Sequence, residues 1–364
     1  MAKRKKYYSL KKILQTDAQY YVIFGGRNNG KTYAVHEYGL QRYWEHGEQM
    51  AIVRRWQEDF TGKRGESLFN NQVASGNVAR ITGGEWTDVY YRASRWYLCR
   101  YDENGNREQQ DRPFAYGFSI SAQEHDKSTP YPGIKNIFFD EFLTRTLYLQ
   151  DEFVLFMNVL STIIRDKKKD EIRVFMAGNT VNKYCPYFSE MGLTHIKQMK
   201  PGTIDVYTYG ESGLTVAVEY SDNSVAKENA SFFAFDNPKL KMITGNEWEI
   251  SIYPHLPRKY KPKDIAYMYF IVFDSEILQC EIITFPDMSF TYIHRKTSPL
   301  KEDDWDLIYT PDFDPRPNYR RKITKPFSRL EERIASYYAQ DKVFFQDNEV
   351  GDIVMNYLQF CRRG

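Results

Sequence analysis

The chain has 364 residues, long enough for two domains of ordinary size, and 42% hydrophobic with 16% aromatic content can fill their cores. A formal charge of +2 excludes a protein that grips a polyanion through its overall field, and leaves that task to local patches: Lys3-Arg4-Lys5-Lys6, Lys167-Lys168-Lys169, Arg258-Lys259-Tyr260-Lys261 and Arg316 through Lys325. Cys99, Cys185, Cys280 and Cys361 form no C-x-x-C, the histidines make no zinc spacing, and no apolar run approaches a membrane span, so the reading is a reduced protein, neither secreted nor embedded.

Residues 1–19 read as a basic arm and a short helix with Leu10, Ile13 and Leu14 on one face. The apolar run Tyr20-Tyr21-Val22-Ile23-Phe24 follows, then Gly25-Gly26-Arg27-Asn28-Asn29-Gly30-Lys31-Thr32, then a helix to His46 stopped by Gly47. A buried strand, a glycine loop and a helix are the context that gives G-x4-G-K-[ST] its meaning as a Walker A loop, against an ordinary glycine turn. Gly25, Gly26 and Gly30 let backbone N–H groups close around a phosphate, and the helix turns its positive end to the same anion. Lys31 adds a mobile charge for the β- and γ-phosphates of ATP, and the Thr32 hydroxyl is a ligand for Mg²⁺.

Met50-Ala51-Ile52-Val53 reads as a strand that runs into Arg54 and Arg55, one of which faces phosphate or else closes the strand with an ion pair. Residues 60–85 are polar and turn-rich. Residues 88–91, 95–101 and 114–120 read as antiparallel strands inserted in or beside the main sheet, with a turn at Asp102–Asn106.

Ile134 through Phe139 is an apolar strand that ends in Asp140-Glu141, a Walker B pattern. Asp140 would hold Mg²⁺ and Glu141 would polarise the water that attacks the γ-phosphate. A helix over 150–164 shows Phe153, Phe156, Met157, Leu160, Ile163 and Ile164 at helical spacing. It ends at Arg165, and the strand Ile172–Met176 leads to Asn179, either a γ-phosphate sensor or an Asn-led turn. Strands over 204–209 and 214–220 complete a first domain, residues 1–220. Residues 221–260 read as a linker, and 261–364 as a second domain of three meandering strands and closing helices.

In this order the motifs resemble the DNA-packaging (encapsidation) ATPases of small protein-primed short-tailed phages of the Bacillus podovirus type, within the terminase-like additional-strand P-loop ATPases. The resemblance rests on Val22 through Tyr33, Glu48 through Arg55, Tyr131-Pro132, Ile137 through Phe142, and Asn179 with Pro186-Tyr187-Phe188. It implies an α/β fold with a mostly parallel sheet and a smaller α+β carboxyl domain that resembles a vestigial RNase H-like nuclease. It also implies a homomeric, pentameric ring on the portal of a procapsid in the host cytoplasm, driving double-stranded DNA inward with ATP and Mg²⁺, with an accessory RNA as a further partner. In such rings a neighbouring subunit supplies a cation to the nucleotide. Arg165 stands at the matching position for that arginine finger, against a plain cation at a helix end, and Lys127 is the second candidate, against a solvated loop lysine. Asp274, Glu276 and Asp287 fall in hairpin turns rather than in a two-metal cluster, so nuclease activity is not expected. The alternatives are a helicase-like DNA translocase without a capsid, and a P-loop kinase.

Overall fold

The computed structural model describes residues 7–125, 130–144, 148–165, 167–222, 251–300 and 305–362. Internal contacts divide the chain into two compact units, 1–249 and 250–364.

The first unit contains α1 (Lys11–Leu14), β1 (Tyr20–Gly25), α2 (Lys31–His46), β2 (Gln49–Arg54), α3 (Gly62–Ser67), α4 (Asn70–Ala74), α5 (Asn77–Ile81), β3 (Asp88–Arg92), β4 (Arg95–Tyr101), β5 (Arg107–Gln109), β6 (Ala115–Ser119), β7 (Ile134–Asp140), α6 (Glu152–Ile164), β8 (Arg173–Asn179), α7 (Pro186–Glu190), β9 (Ile204–Tyr209) and β10 (Leu214–Ser221). Its strands form one sheet in the order β3-β4-β6-β2-β7-β8-β1-β10-β9, with β5 paired to β4. From β6 to β10 every neighbouring pair is parallel. Strand β8 is the additional strand between the Walker A strand β1 and the Walker B strand β7.

A parallel sheet is covered on both faces, so its strands read as unbroken apolar runs. Val22 and Phe24 face a core with Phe139, Phe156 and Tyr187. Tyr21 and Ile23 face the opposite core with Val35, Phe138 and Phe175. Gly47, with φ 68°, closes α2 as expected, donating to the Tyr43 carbonyl at 2.8 Å.

Two expectations need correction. Residues 60–85 are not merely turns: they form α3, α4 and α5, and Phe69, at the start of α4, and Val78 of α5 enter the α2-side core. Each has five or six residues, too few for an apolar period to show in sequence. Strand β6 pairs antiparallel to β4, as expected, but its other edge pairs parallel to β2, which makes it part of the central sheet; β3, β4 and β5 alone form the antiparallel insertion at this edge. Residues 223–250 of the expected linker lie outside the described residues.

The second unit contains β11 (Ile265–Phe273), β12 (Glu276–Thr284), β13 (Ser289–Arg295), β14 (Ile308–Tyr309), β15 (Tyr319–Arg320), α8 (Arg329–Ala339), β16 (Val343–Phe345) and α9 (Asn348–Arg362). The expected meander is β11, β12 and β13, joined first by a turn in which Asp274 and Ser275 both have positive φ (52° and 64°). Strands β14 and β15 continue the sheet parallel to β11, giving the order β13-β12-β11-β14-β15, with β16 added beyond β13. Strand β11 carries no acidic residue, and no metal-holding group of three His, Cys, Asp or Glu occurs among the described residues. All four cysteines are buried and free of disulfides.

Candidate nucleotide site

The site is assembled where β1, β8 and β7 end side by side. Gly25 of β1 is level with Asn179 of β8 on one side and with Ser221 of β10 on the other. The backbone approach at Gly25 leaves no room for a side chain, since a Cβ there would stand 2.1 Å from Ser221 Oγ. Gly30, with φ 93°, makes the left-handed step that starts α2. Between them Arg27 and Asn28 are exposed, whereas Asn29 turns inward and donates from Nδ2 to Ser221 Oγ at 2.8 Å. Asn29 therefore shapes the loop from behind with its side chain.

Lys31 is only 6% exposed. Its ammonium donates to the Gly25 and Gly26 carbonyls (3.3 and 2.7 Å) and to the side-chain oxygens of Asn29 and Asn179 (3.1 and 3.4 Å). Four neutral oxygens do not offset the loss of water, and burial pulls the ammonium down to about 7, with Asp140 opposing. A buried cation over a loop of backbone N–H groups is a site that an anion completes.

Beside it, Thr32 Oγ1 donates to Asp140 Oδ1 at 2.9 Å. A hydroxyl and a carboxylate are the hard oxygen ligands that suit Mg²⁺. The other Asp140 oxygen is paired with Arg54, whose guanidinium also lies 4.0 Å from Glu141. Glu141 has a left-handed backbone, φ 62°, and presents its carboxyl to solvent at the mouth of the site. Desolvation by the surrounding strand ends raises its pKa, and Arg54 works against that rise. Beneath this group His36 is fully packed on the Phe69 ring (4.4 Å between centroids), and burial lowers its pKa to about 4.

The two arginines at the end of β2 divide the roles that the sequence left open. Arg54 faces Asp140 and Glu141, while Arg55 enters the core and forms a two-pronged pair with Glu152 of α6, 2.8 Å at each contact. Arg55 also donates to the carbonyls of Glu141 (3.4 Å) and Phe142 (2.9 Å), so it holds the turn that carries Glu141. Glu152 takes further hydrogen bonds from the Tyr187 hydroxyl and the Leu149 amide.

Of the residues singled out in sequence, Gly25, Gly26, Gly30, Lys31, Thr32, Asp140, Glu141 and Asn179 come together here. Arg165 is an exposed residue at the end of α6. Lys127 lies outside the described residues. Ser221 and Glu152 carried no sequence signal: one is a strand-end serine, the other an acid in a helix first turn, and only the packing gives each its partner.

The strand order and the loop, acid and amide at adjoining strand ends define a P-loop NTPase of the additional-strand class. The chain matches the model of the podovirus DNA encapsidation protein (Gp16) family over residues 1–80 and 106–203. It is 25% identical over 187 residues to the DNA packaging proteins of Bacillus phages PZA and phi29, a match that covers 50% of this chain and 49% of theirs. The chain thus spans about half the length of the curated relatives it matches. Its fold is similar to that of the phi-28 gp11 DNA packaging motor (TM-score 0.55, 19% identity, 98% of each chain). It is also similar to the phi-29 viral genome packaging motor assembly (TM-score 0.56, 18% identity, 98% of this chain and 99% of that one).

Proposed function

We propose that this protein is a viral DNA-packaging ATPase, which couples ATP hydrolysis in a homomeric ring to movement of double-stranded DNA into a preformed capsid. The observation that carries this reading is the meeting of Lys31, Thr32, Asp140, Glu141 and Asn179 at three neighbouring strand ends. The loop at 25–32 receives the triphosphate, and Lys31 exchanges its neutral partners for β- and γ-phosphate oxygens. Thr32 and Asp140 would hold Mg²⁺, which when bound neutralises charge on those oxygens. Glu141 accepts the proton of the attacking water, and Asn179, whose side-chain oxygen accepts from Lys31, reports the γ-phosphate.

The family and the packaging-motor fold support a pentameric ring that docks on the procapsid portal in the host cytoplasm, with an accessory RNA as a further partner. In that ring Arg165 and Lys127 are the cations offered to a neighbour's nucleotide. Residues 1–220 act as the ATPase domain. Residues 261–364 bind DNA or portal through their basic segments without cutting DNA, contacting phosphates rather than bases.

The deciding experiment measures ATP hydrolysis by the purified protein with and without duplex DNA. Duplex DNA should stimulate turnover, and Lys31→Ala should abolish it. Turnover indifferent to DNA, with transfer of phosphate to a small acceptor, would replace the motor by a kinase.

The Lys31 environment adds a proton-linkage prediction. Free, the ammonium titrates near 7; beside a polyphosphate its pKa must rise. Binding therefore takes up a proton between those two values, and affinity for ATP should fall as pH rises above about 7, by at most about tenfold per unit. Calorimetry at pH 8 in buffers of different ionisation enthalpy should show this proton uptake, and Lys31→Met should remove it.

A further inference from the structure

We infer that Tyr7 forms the nucleobase side of this site, stacking its ring on the base of a nucleoside triphosphate whose phosphates occupy the 25–32 loop. The inference rests on the nucleotide reading above and adds a residue to it. The direction of the ligand comes from the sheet. Asp140 and Asn179 end β7 and β8, on one side of β1, and with Glu141, which follows β7, they fix the terminal phosphate there. The nucleoside then leaves the loop on the other side of β1, where β10 lies.

That side is where the amino-terminal segment is fastened. The Tyr8 hydroxyl donates to Glu219 Oε2 of β10 at 2.6 Å, and the Tyr8 amide donates to the Asn29 carbonyl at 2.9 Å. Leu10 and Ile13 then bury α1 in the α2-side core. The backbone before α1 is thus tied to the Walker A loop itself. Tyr7 rests against Gly30: a Cβ on that glycine would meet Tyr7 Cδ1 at 3.5 Å and Tyr7 Cβ at 3.6 Å. Yet Tyr7 remains 58% exposed. A tyrosine tethered beside the cradle, with most of its surface still in water, has what a base-stacking platform requires: a fixed position and an uncovered ring. Stacking is tolerant of base identity because every base has a π-face, so Tyr7 favours nucleotides over bare polyphosphate without choosing among purines.

The test compares ATP with inorganic tripolyphosphate in the same magnesium buffer, by equilibrium binding to the full chain. Tyr7→Ala should weaken ATP about tenfold and leave tripolyphosphate unchanged, while Tyr7→Phe should retain both affinities. An unchanged ratio of the two affinities in Tyr7→Ala would overturn the inference, as would equal weakening of both ligands, which would make the segment a brace for the loop. A parent protein that binds tripolyphosphate as tightly as ATP defeats the inference and spares the phosphate cradle. A parent that binds neither removes both.

Discussion

Glu141→Gln is expected to lower ATP turnover by about two to four decades, the range a positioned general base contributes, while nucleotide binding stays within a few-fold of the parent. The substitution keeps the size of the side chain and removes only its ability to accept a proton. Binding is carried by other groups, namely the loop, Lys31 and the Thr32–Asp140 pair, which Glu141 does not touch. Asp140→Asn would behave differently: it weakens the partner of both Thr32 and Arg54 and disturbs magnesium binding together with turnover. Phosphate release measured beside nucleotide affinity separates the two variants. Undiminished turnover in Glu141→Gln would remove Glu141 from the chemistry.

The placement of Glu141 shows which parts of this site were legible in sequence. The loop is written in local terms, because glycine at 25 and 30, lysine at 31 and threonine at 32 act within eight consecutive residues and between a strand and a helix that periodicity reveals. The Asp-Glu at 140 and 141 is likewise a strand end. The identity of the strands beside β1 is a matter of topology: β8 separates β1 from β7, so Asn179 reaches Lys31 across 148 positions. The sequence left open whether Arg54 or Arg55 faced phosphate or closed the strand with an ion pair, and the structure pairs Arg54 with Asp140 and Arg55 with Glu152. Alternation along β2 sends successive side chains to opposite faces, and the core that holds Phe139, Phe156 and Tyr187 contains Glu152 to receive Arg55. The short helices over 62–81 and the strands β14, β15 and β16 were missed for a different reason: two to six residues do not complete a readable period, and their burial comes from neighbours distant in sequence.

The largest stability effect is expected at that same Arg55. Its partner Glu152 has no exposed side-chain surface, and removal of one member of a buried ion pair leaves the other charge without compensation, at a cost of about 3–5 kcal/mol. Arg55→Met should therefore lower the urea midpoint of the first unfolding transition sharply, since the Tyr187 hydroxyl and the Leu149 amide remain as neutral donors to a stranded carboxylate. Adding Glu152→Met should restore much of that stability, because two apolar side chains of similar volume replace both desolvated charges. Turnover should not return with it. The guanidinium also binds the carbonyls of Glu141 and Phe142 and so holds the left-handed step at Glu141, which costs free energy for a residue with a side chain and persists only while its surroundings impose it. A double variant that regains both its urea midpoint and full turnover would mean that the Phe142 amide bond to Ala177 (3.2 Å) is enough to hold that step. A stable variant with slow turnover and normal nucleotide binding would make Arg55 the positioning residue for the catalytic carboxylate.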